Sequence, residues 1–403
     1  MGQITEMILM ISKSRCSVLL ICLSVLSSHV FAQKNKKIVQ TDIIEIITKK
    51  LPLPDGAPPP KGKKVAFTII PATTQSGGKQ ILVSAINAAF IIGHEDSTNF
   101  SSVFFLPYTD FSENFGFGLK YNLFTPRNVW NIPGEFRFST LTQYSFGLGG
   151  GTTRSDQFRL TFDNIRFNAS ANYNLYDNIF GGMGLAYDRN FSVGVSEIPN
   201  LPGEFEKYGI GTKTSYSASG ITFNLLHDNR KNSINPTDGL FVLGMLRVNP
   251  AWLGNEDLWT SFFLDWRRYY RLDDPKRKII AVSAYYWGSY GKVPYFNLPG
   301  TQLDINGRSG RGYPLARFRG RHMFYAEGEY RFDISRNGLF GGVGFLNIQI
   351  MSEPLTNKFE YINPAVGFGA RVKFNKKSDT NLAIDFGFAP DAFNFYIGLG
   401  EWF

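Results

Sequence analysis

Five arginines, Arg308, Arg311, Arg317, Arg319 and Arg321, fall within fourteen positions of a glycine-rich stretch, and the chain just after them alternates. Met323, Tyr325, Glu327, Glu329, Arg331 and Asp333 hold one parity; His322, Phe324, Ala326, Gly328, Tyr330, Phe332 and Ile334 hold the other. Guanidinium groups beside a row of carboxylates suit recognition: the planar fork stays charged and grips a carboxylate with two parallel hydrogen bonds. Bond-making chemistry has less support. Beyond residue 32 the histidines are His94, His227 and His322, with no paired-histidine zinc spacing and no Gly-x-Ser-x-Gly elbow. No catalytic residue, metal site or cofactor is expected. Both cysteines, Cys16 and Cys22, precede residue 33, so the remainder has no thiol chemistry and no disulfide.

An arginine-rich loop needs walls to hold it. From residue 65 onward, segments of roughly 8–16 residues alternate with period two between Gly, Asn, Asp and Pro turns. Phenylalanine and tyrosine number 37 and 19, and glycine 41, a composition that favours strands over helices. Strands are expected near 65–72, 79–92, 99–109, 113–125, 133–147, 158–176, 178–190, 214–227, 238–249, 258–272, 277–290, 321–334, 338–350, 361–375, 380–389 and 394–403. In 258–271, Ser261, Asp265, Arg267 and Arg271 share one parity and Leu258, Phe262, Leu264, Trp266 and Tyr270 the other, with Arg268 the exception.

A soluble sandwich and a membrane barrel both produce this pattern. Strand length favours the barrel, since a tilted span takes about 9–11 residues and sandwich strands about 5–6. Short breaks ("YDN", "SRNG", "NKKSD") that mostly interleave with long ones (191–213, 291–320) point the same way. The expected fold is all-β, a transmembrane antiparallel barrel of about sixteen strands with a long loop folded into the lumen. If the N-terminus lies on the periplasmic side, 291–320 joins strands eleven and twelve outside. Its arginines could then pair with Asp265, Glu327, Glu329 or Asp333 on the wall.

Residues 1–32 read as a cleaved signal peptide, with Lys13 and Arg15 before an apolar run over 18–26 and the small Ala32 before Gln33. Residues 33–64 hold a short helical segment, "TDIIEIITKKL", capped by Thr41 or Asp42, and the proline-rich linker "LPLPDGAPPPKGKK". Residues 65–403 are expected to form the barrel. The net charge of +9 is scattered among acidic neighbours, so nucleic acid is not an expected partner.

"SGRGYPLARFRGR" followed by "AEGEYRF" resembles the sixth-loop motif and twelfth strand of the BamA/TamA superfamily, the bacterial surface antigen barrels. Arg311, Gly312 and Tyr313 match the loop motif, with Gly310 in the place of an aliphatic residue. "HDNRKNSINPTDGLFV" resembles the same superfamily's turn between strands eight and nine, with Asp228, Arg230, Asn235, Pro236, Thr237 and Gly239 in step. The resemblance implies a loop anchored in the lumen by Arg311, with Glu329 as its acidic wall position. Phe345, Asn347 and Gln349 match the next-strand Phe-x-Asp-x-Gly motif imperfectly, which makes Asn347 a further loop partner. Gly398, Trp402 and Phe403 fit a C-terminal assembly signal, although Glu401 stands where an aromatic is usual. The 33–64 segment is too short for a periplasmic POTRA domain, so a POTRA-less branch is implied.

The implied role is assembly, insertion or translocation of outer-membrane components in a Gram-negative cell; a passive porin-like channel and an outer-membrane hydrolase are the alternatives. The implied partners are outer-membrane lipids including lipopolysaccharide, the barrel-assembly machinery during biogenesis, and protein or lipid clients.

Overall fold

Alternation along each strand sorts side chains to two sides of one sheet. The computed structural model describes residues 40–50, 66–76, 79–94, 96–196, 203–230, 232–273, 277–376 and 379–403. The expected signal peptide and the proline-rich linker lie outside the described residues. The strands are β1 (Ala66–Ser76), β2 (Lys79–Phe90), β3 (Ser101–Thr109), β4 (Phe115–Phe124), β5 (Trp130–Ser145), β6 (Phe158–Tyr176), β7 (Ile179–Ser196) and β8 (Tyr216–Asp228). They continue as β9 (Gly239–Asn249), β10 (Trp259–Asp273), β11 (Lys278–Gly291), β12 (His322–Asp333), β13 (Phe340–Met351), β14 (Asn363–Asn375), β15 (Thr380–Ala389) and β16 (Ala392–Leu399). Each pairs antiparallel with its sequence neighbours, and β1 meets β16 to close the barrel.

On β10 the parity prediction holds. Ser261, Phe263, Asp265, Arg267 and Tyr269 are buried on the lumen side, while Leu264, Trp266 and Tyr270 are exposed outward. The exceptional Arg268, on the outward parity, has its guanidinium 5.1 Å from the Tyr270 ring centre. Phenylalanines line the outer surface in ladders: Phe105 and Phe136 each sit 5.9 Å from Phe117 across adjacent strands. Apolar outward and polar inward is the arrangement of a barrel in lipid, where closure pairs every backbone group.

The two ends of the barrel differ. At the end where odd strands begin, here called proximal, turns such as 177–178 and 125–129 are short; the distal end carries long loops such as 292–321. Among the described residues one α-helix, α1 (Ile43–Lys50), docks at the proximal end. Asp42 caps it by accepting from Glu45 N at 2.7 Å. The other Asp42 oxygen accepts from Lys376 N in the β14–β15 turn at 2.8 Å, and Thr41 N donates to Asn337 O.

Within the distal half, loop residues Phe205, Ile210, Val293, Tyr295 and Leu298 pack on Phe158, Leu160, Tyr216 and Trp259 of the wall. The lumen there is an apolar core. The last strand is shorter than expected: β16 ends at Leu399, and Trp402 and Phe403 fold into the lumen.

Candidate functional site: a buried arginine on the lumen wall

The loop of residues 292–321 enters the lumen and is braced by its own polar groups. Asp304 Oδ1 accepts from Ser309 N at 3.1 Å and Ser309 Oγ at 2.8 Å, and Gln302 Nε2 donates to Tyr313 O at 2.7 Å. Thr301 Oγ1 fastens the loop to β13 through Gln349 Oε1 at 2.8 Å. This frame presents Arg311, which has no solvent exposure.

Arg311 meets three carboxylates. Its Nη1 donates to Asp385 Oδ2 at 2.9 Å, and its Nη2 donates to both Glu327 and Glu329. The guanidinium also lies 3.5 Å from the Phe345 ring centre, where the ring's negative face adds to the attraction. Asn347 Nδ2 donates to Arg311 O at 2.9 Å. Gly312 N donates to the Tyr396 hydroxyl at 3.0 Å, Asn394 Nδ2 to Gly312 O at 3.0 Å, and the Tyr313 hydroxyl to Pro364 O at 2.8 Å.

Gly312 is required twice over. Its φ is +113°, and a Cβ there would stand 3.0 Å from the Ala365 Cβ. The wall opposite is also a glycine: a Cβ on Gly387 would come within 2.7 Å of Gly312 Cα. Loop and wall touch backbone to backbone.

The anchor continues toward the proximal end. Glu329 receives Arg331 Nε at 2.6 Å, and Asp385 receives Arg371 Nη1 at 2.6 Å. Glu401 then receives Arg371 Nε at 2.8 Å and Arg277 Nη2 at 2.6 Å. Four arginines, Arg277, Arg311, Arg331 and Arg371, thus face four acids, Glu327, Glu329, Asp385 and Glu401, all with side chains at most 14% exposed. Buried charge is tolerable only when paired and balanced, as it is here.

The motif turn between β8 and β9 joins the same network. Asp228 and Arg230 form a two-pronged pair at 2.8 Å, and Arg230 lies over Phe241. Asn235 is fully buried, donating to Asp379 O at 2.7 Å and accepting from Arg277 Nη2 at 2.5 Å. Pro236 O accepts from Arg331 Nη1, Thr237 Oγ1 from Arg271 Nη2, and Gly239 takes a positive φ at the turn's exit.

Of the expected loop partners, Glu327, Glu329 and Asn347 reach Arg311. Asp333 does not: it lies at the proximal end of β12, its backbone N–H bonded to Arg277 O. Asp265 pairs instead with Arg267, two residues on along its own strand, and reaches the loop only through Asn306 Nδ2 at 3.4 Å. The sequence pattern pointed to none of Asp385, Tyr396 and Asn394, and marked Glu401 only as a departure from the assembly signal. Asp385 supplies the second charge that Asn347 lacks. Its signal was faint but present: it is the acid on the inward parity of "AIDFGF".

Known structures share this architecture. BamA from Haemophilus ducreyi lacking POTRA domains 1–3 superposes with TM-score 0.54 at 11% identity, over 84% of this chain and 75% of that one. The fold is that of a BamA-type barrel. CdiB from Escherichia coli gives TM-score 0.55 at 11% identity over 84% of this chain and 67% of its own. CdiB from Acinetobacter baumannii gives 0.51 at 12%, over 83% of this chain and 59% of its own. No protein-family model and no curated protein matches the sequence.

Proposed function

We propose that this barrel resides in the outer membrane of a Gram-negative cell and assists assembly, insertion or translocation of outer-membrane components, with no enzymatic step of its own. The observation that carries the reading is the seam. Among the described residues, β1 and β16 share one residue pair, Thr73↔Ile397, whereas β1 and β2 are paired at every position from Ala66 to Ser76. Pro71 in mid-β1 has no N–H to give a neighbour, a trait of edge strands. A wall with one weak side and an occupied lumen suits a client admitted sideways better than a solute passing through. Lipopolysaccharide and other outer-membrane lipids would meet the phenylalanine-lined outer surface, and the barrel-assembly machinery would fold the chain itself.

The test is depletion of the protein followed by an inventory of the outer membrane. Loss of other barrel proteins or of a lipid class supports the reading. An unchanged inventory with large, steady single-channel conductance from the purified barrel would replace it with a porin, and hydrolysis of lipid or peptide would replace it with an enzyme.

A further inference from the structure

Counting on from Thr73↔Ile397, residues 400–403 would lie opposite Ile70, Ile69, Thr68 and Phe67 if β16 continued along β1. They turn away instead: Gly400 still makes the in-register bond to Asn381 O of β15 at 2.8 Å but takes φ +84°, and Glu401 N then bonds across the lumen to Ile234 O at 3.0 Å. Beyond it, Trp402 Nε1 donates to Arg308 O at 2.7 Å, and Phe403 O accepts from Arg331 Nη2 at 3.0 Å. The Glu401 carboxylate is the most heavily bonded group of this tail. It receives Arg277 Nη2 at 2.6 Å, Arg371 Nε at 2.8 Å and Asn381 Nδ2 at 2.8 Å, and its side chain is fully buried.

Parity explains why a carboxylate matters here. Along β16 the odd positions face outward: Phe393 is exposed, and Asn394 and Tyr396 are buried on the lumen side. A continued strand would put residue 401 outward with Phe393. An aromatic is at ease there, but a carboxylate would face lipid and leave Arg277 and Arg371 without their shared partner.

We propose that Glu401 is a positioning residue that holds residues 401–403 inside the barrel and thereby keeps β16 from extending its pairing with β1 beyond Leu399. The inference deepens the seam reading given above, but it concerns pairing at the seam and can be read without any assay of function.

Cysteine pairs in the full chain, with Cys16→Ser and Cys22→Ser, report the pairing. Directly opposed antiparallel residues lie about 4.5–5.5 Å apart at Cα, within disulfide range. Thr73→Cys with Ile397→Cys reports the observed rung; Thr68→Cys with Trp402→Cys reports the extended strand. With Glu401 present, the first pair crosslinks in isolated membranes and the second at least about ten-fold less. Glu401→Phe raises the second pair's yield by at least about ten-fold, and Glu401→Asp, which keeps the charge, leaves it low.

Equal yields of the second pair with and without Glu401→Phe overturn the inference, as does Glu401→Asp behaving like Glu401→Phe, or absence of the first crosslink from the otherwise native barrel. If Glu401→Phe fails to form a barrel, Glu401→Gln takes its place with the same expected rise, and no rise overturns the inference. A seam closed by Glu401→Phe with an unaltered outer-membrane inventory would refute the assembly role and leave the inference standing.

Discussion

Replacing Arg311 with alanine removes the one cation shared by Glu327, Glu329 and Asp385. Breaking a buried ion pair from one side costs about 3–5 kcal/mol, because the remaining charge is left desolvated. Two of the three acids keep another guanidinium, Arg331 for Glu329 and Arg371 for Asp385, while Glu327 keeps only the Tyr325 hydroxyl. The lower end of the range, about 3 kcal/mol, is therefore expected, or roughly a hundred-fold rise in the population with the loop released. Protease cleavage within residues 292–321 of the membrane-embedded barrel reads that population when reclosing is faster than cutting. Arg311→Lys keeps the charge but loses the fork and the flat contact with Phe345, so it should fall between native and alanine, at about 1–2 kcal/mol. A cleavage rate for Arg311→Ala equal to that of the native chain would refute the claim that this side chain anchors the loop. So would a lysine variant more labile than the alanine one.

Gly387→Ala puts a methyl 2.7 Å from Gly312 Cα and should loosen the loop by about 1–3 kcal/mol, visible as faster cleavage at the same sites. Asn235→Ala leaves Asp379 O and Arg277 short of a partner and should lower barrel stability by about 1–3 kcal/mol, measured by urea titration of the heat-modifiable gel shift. Arg311→Ala and Glu329→Gln act on one contact, so their combined effect should fall short of the sum by at least about 0.5 kcal/mol in a double-mutant cycle. Arg311→Ala and Asp228→Asn share no partner and should add within about 0.5 kcal/mol.

Strand number and sidedness were legible because a period of two is intrinsic to an extended chain and needs no partner to be seen. Glu327, Glu329 and Asn347 were legible as loop partners for a related reason, since β12 and β13 are adjacent and their inward residues stay adjacent. Height along the barrel was not legible. Asp333 shares the parity of Glu327 but lies six residues further on, about 20 Å at the usual rise of a strand, and below the reach of the loop. Asp265 was taken by Arg267, a same-face neighbour two positions on. Asp385 reaches Arg311 from β15 because the wall curves, and no local pattern encodes curvature. The end of β16 was misplaced because "NFYIGLGEWF" reads as strand to its last residue; only the arginines waiting in the lumen make Glu401 turn inward.

The lumen is filled by two kinds of contact with different physical consequences. The distal cluster of Phe158, Phe205, Tyr216 and Tyr295 is apolar, and opening it exposes hydrophobic area with nothing to offset the cost. The proximal network is ionic, and a buried ion network adds little net stability over an apolar packing of the same volume. What it does provide is register: each guanidinium fits a particular carboxylate, and mispairing leaves charge buried. Asp385 is shared by the loop's Arg311 and by Arg371, and Arg371 is shared with Glu401 of the tail. Withdrawing the loop therefore leaves Asp385 with one guanidinium instead of two and changes the field in which Glu401 is held. Loop and tail sit in one balanced set of charges, and a displacement of either is felt by the other through the Asp385–Arg371 pair that stands between them.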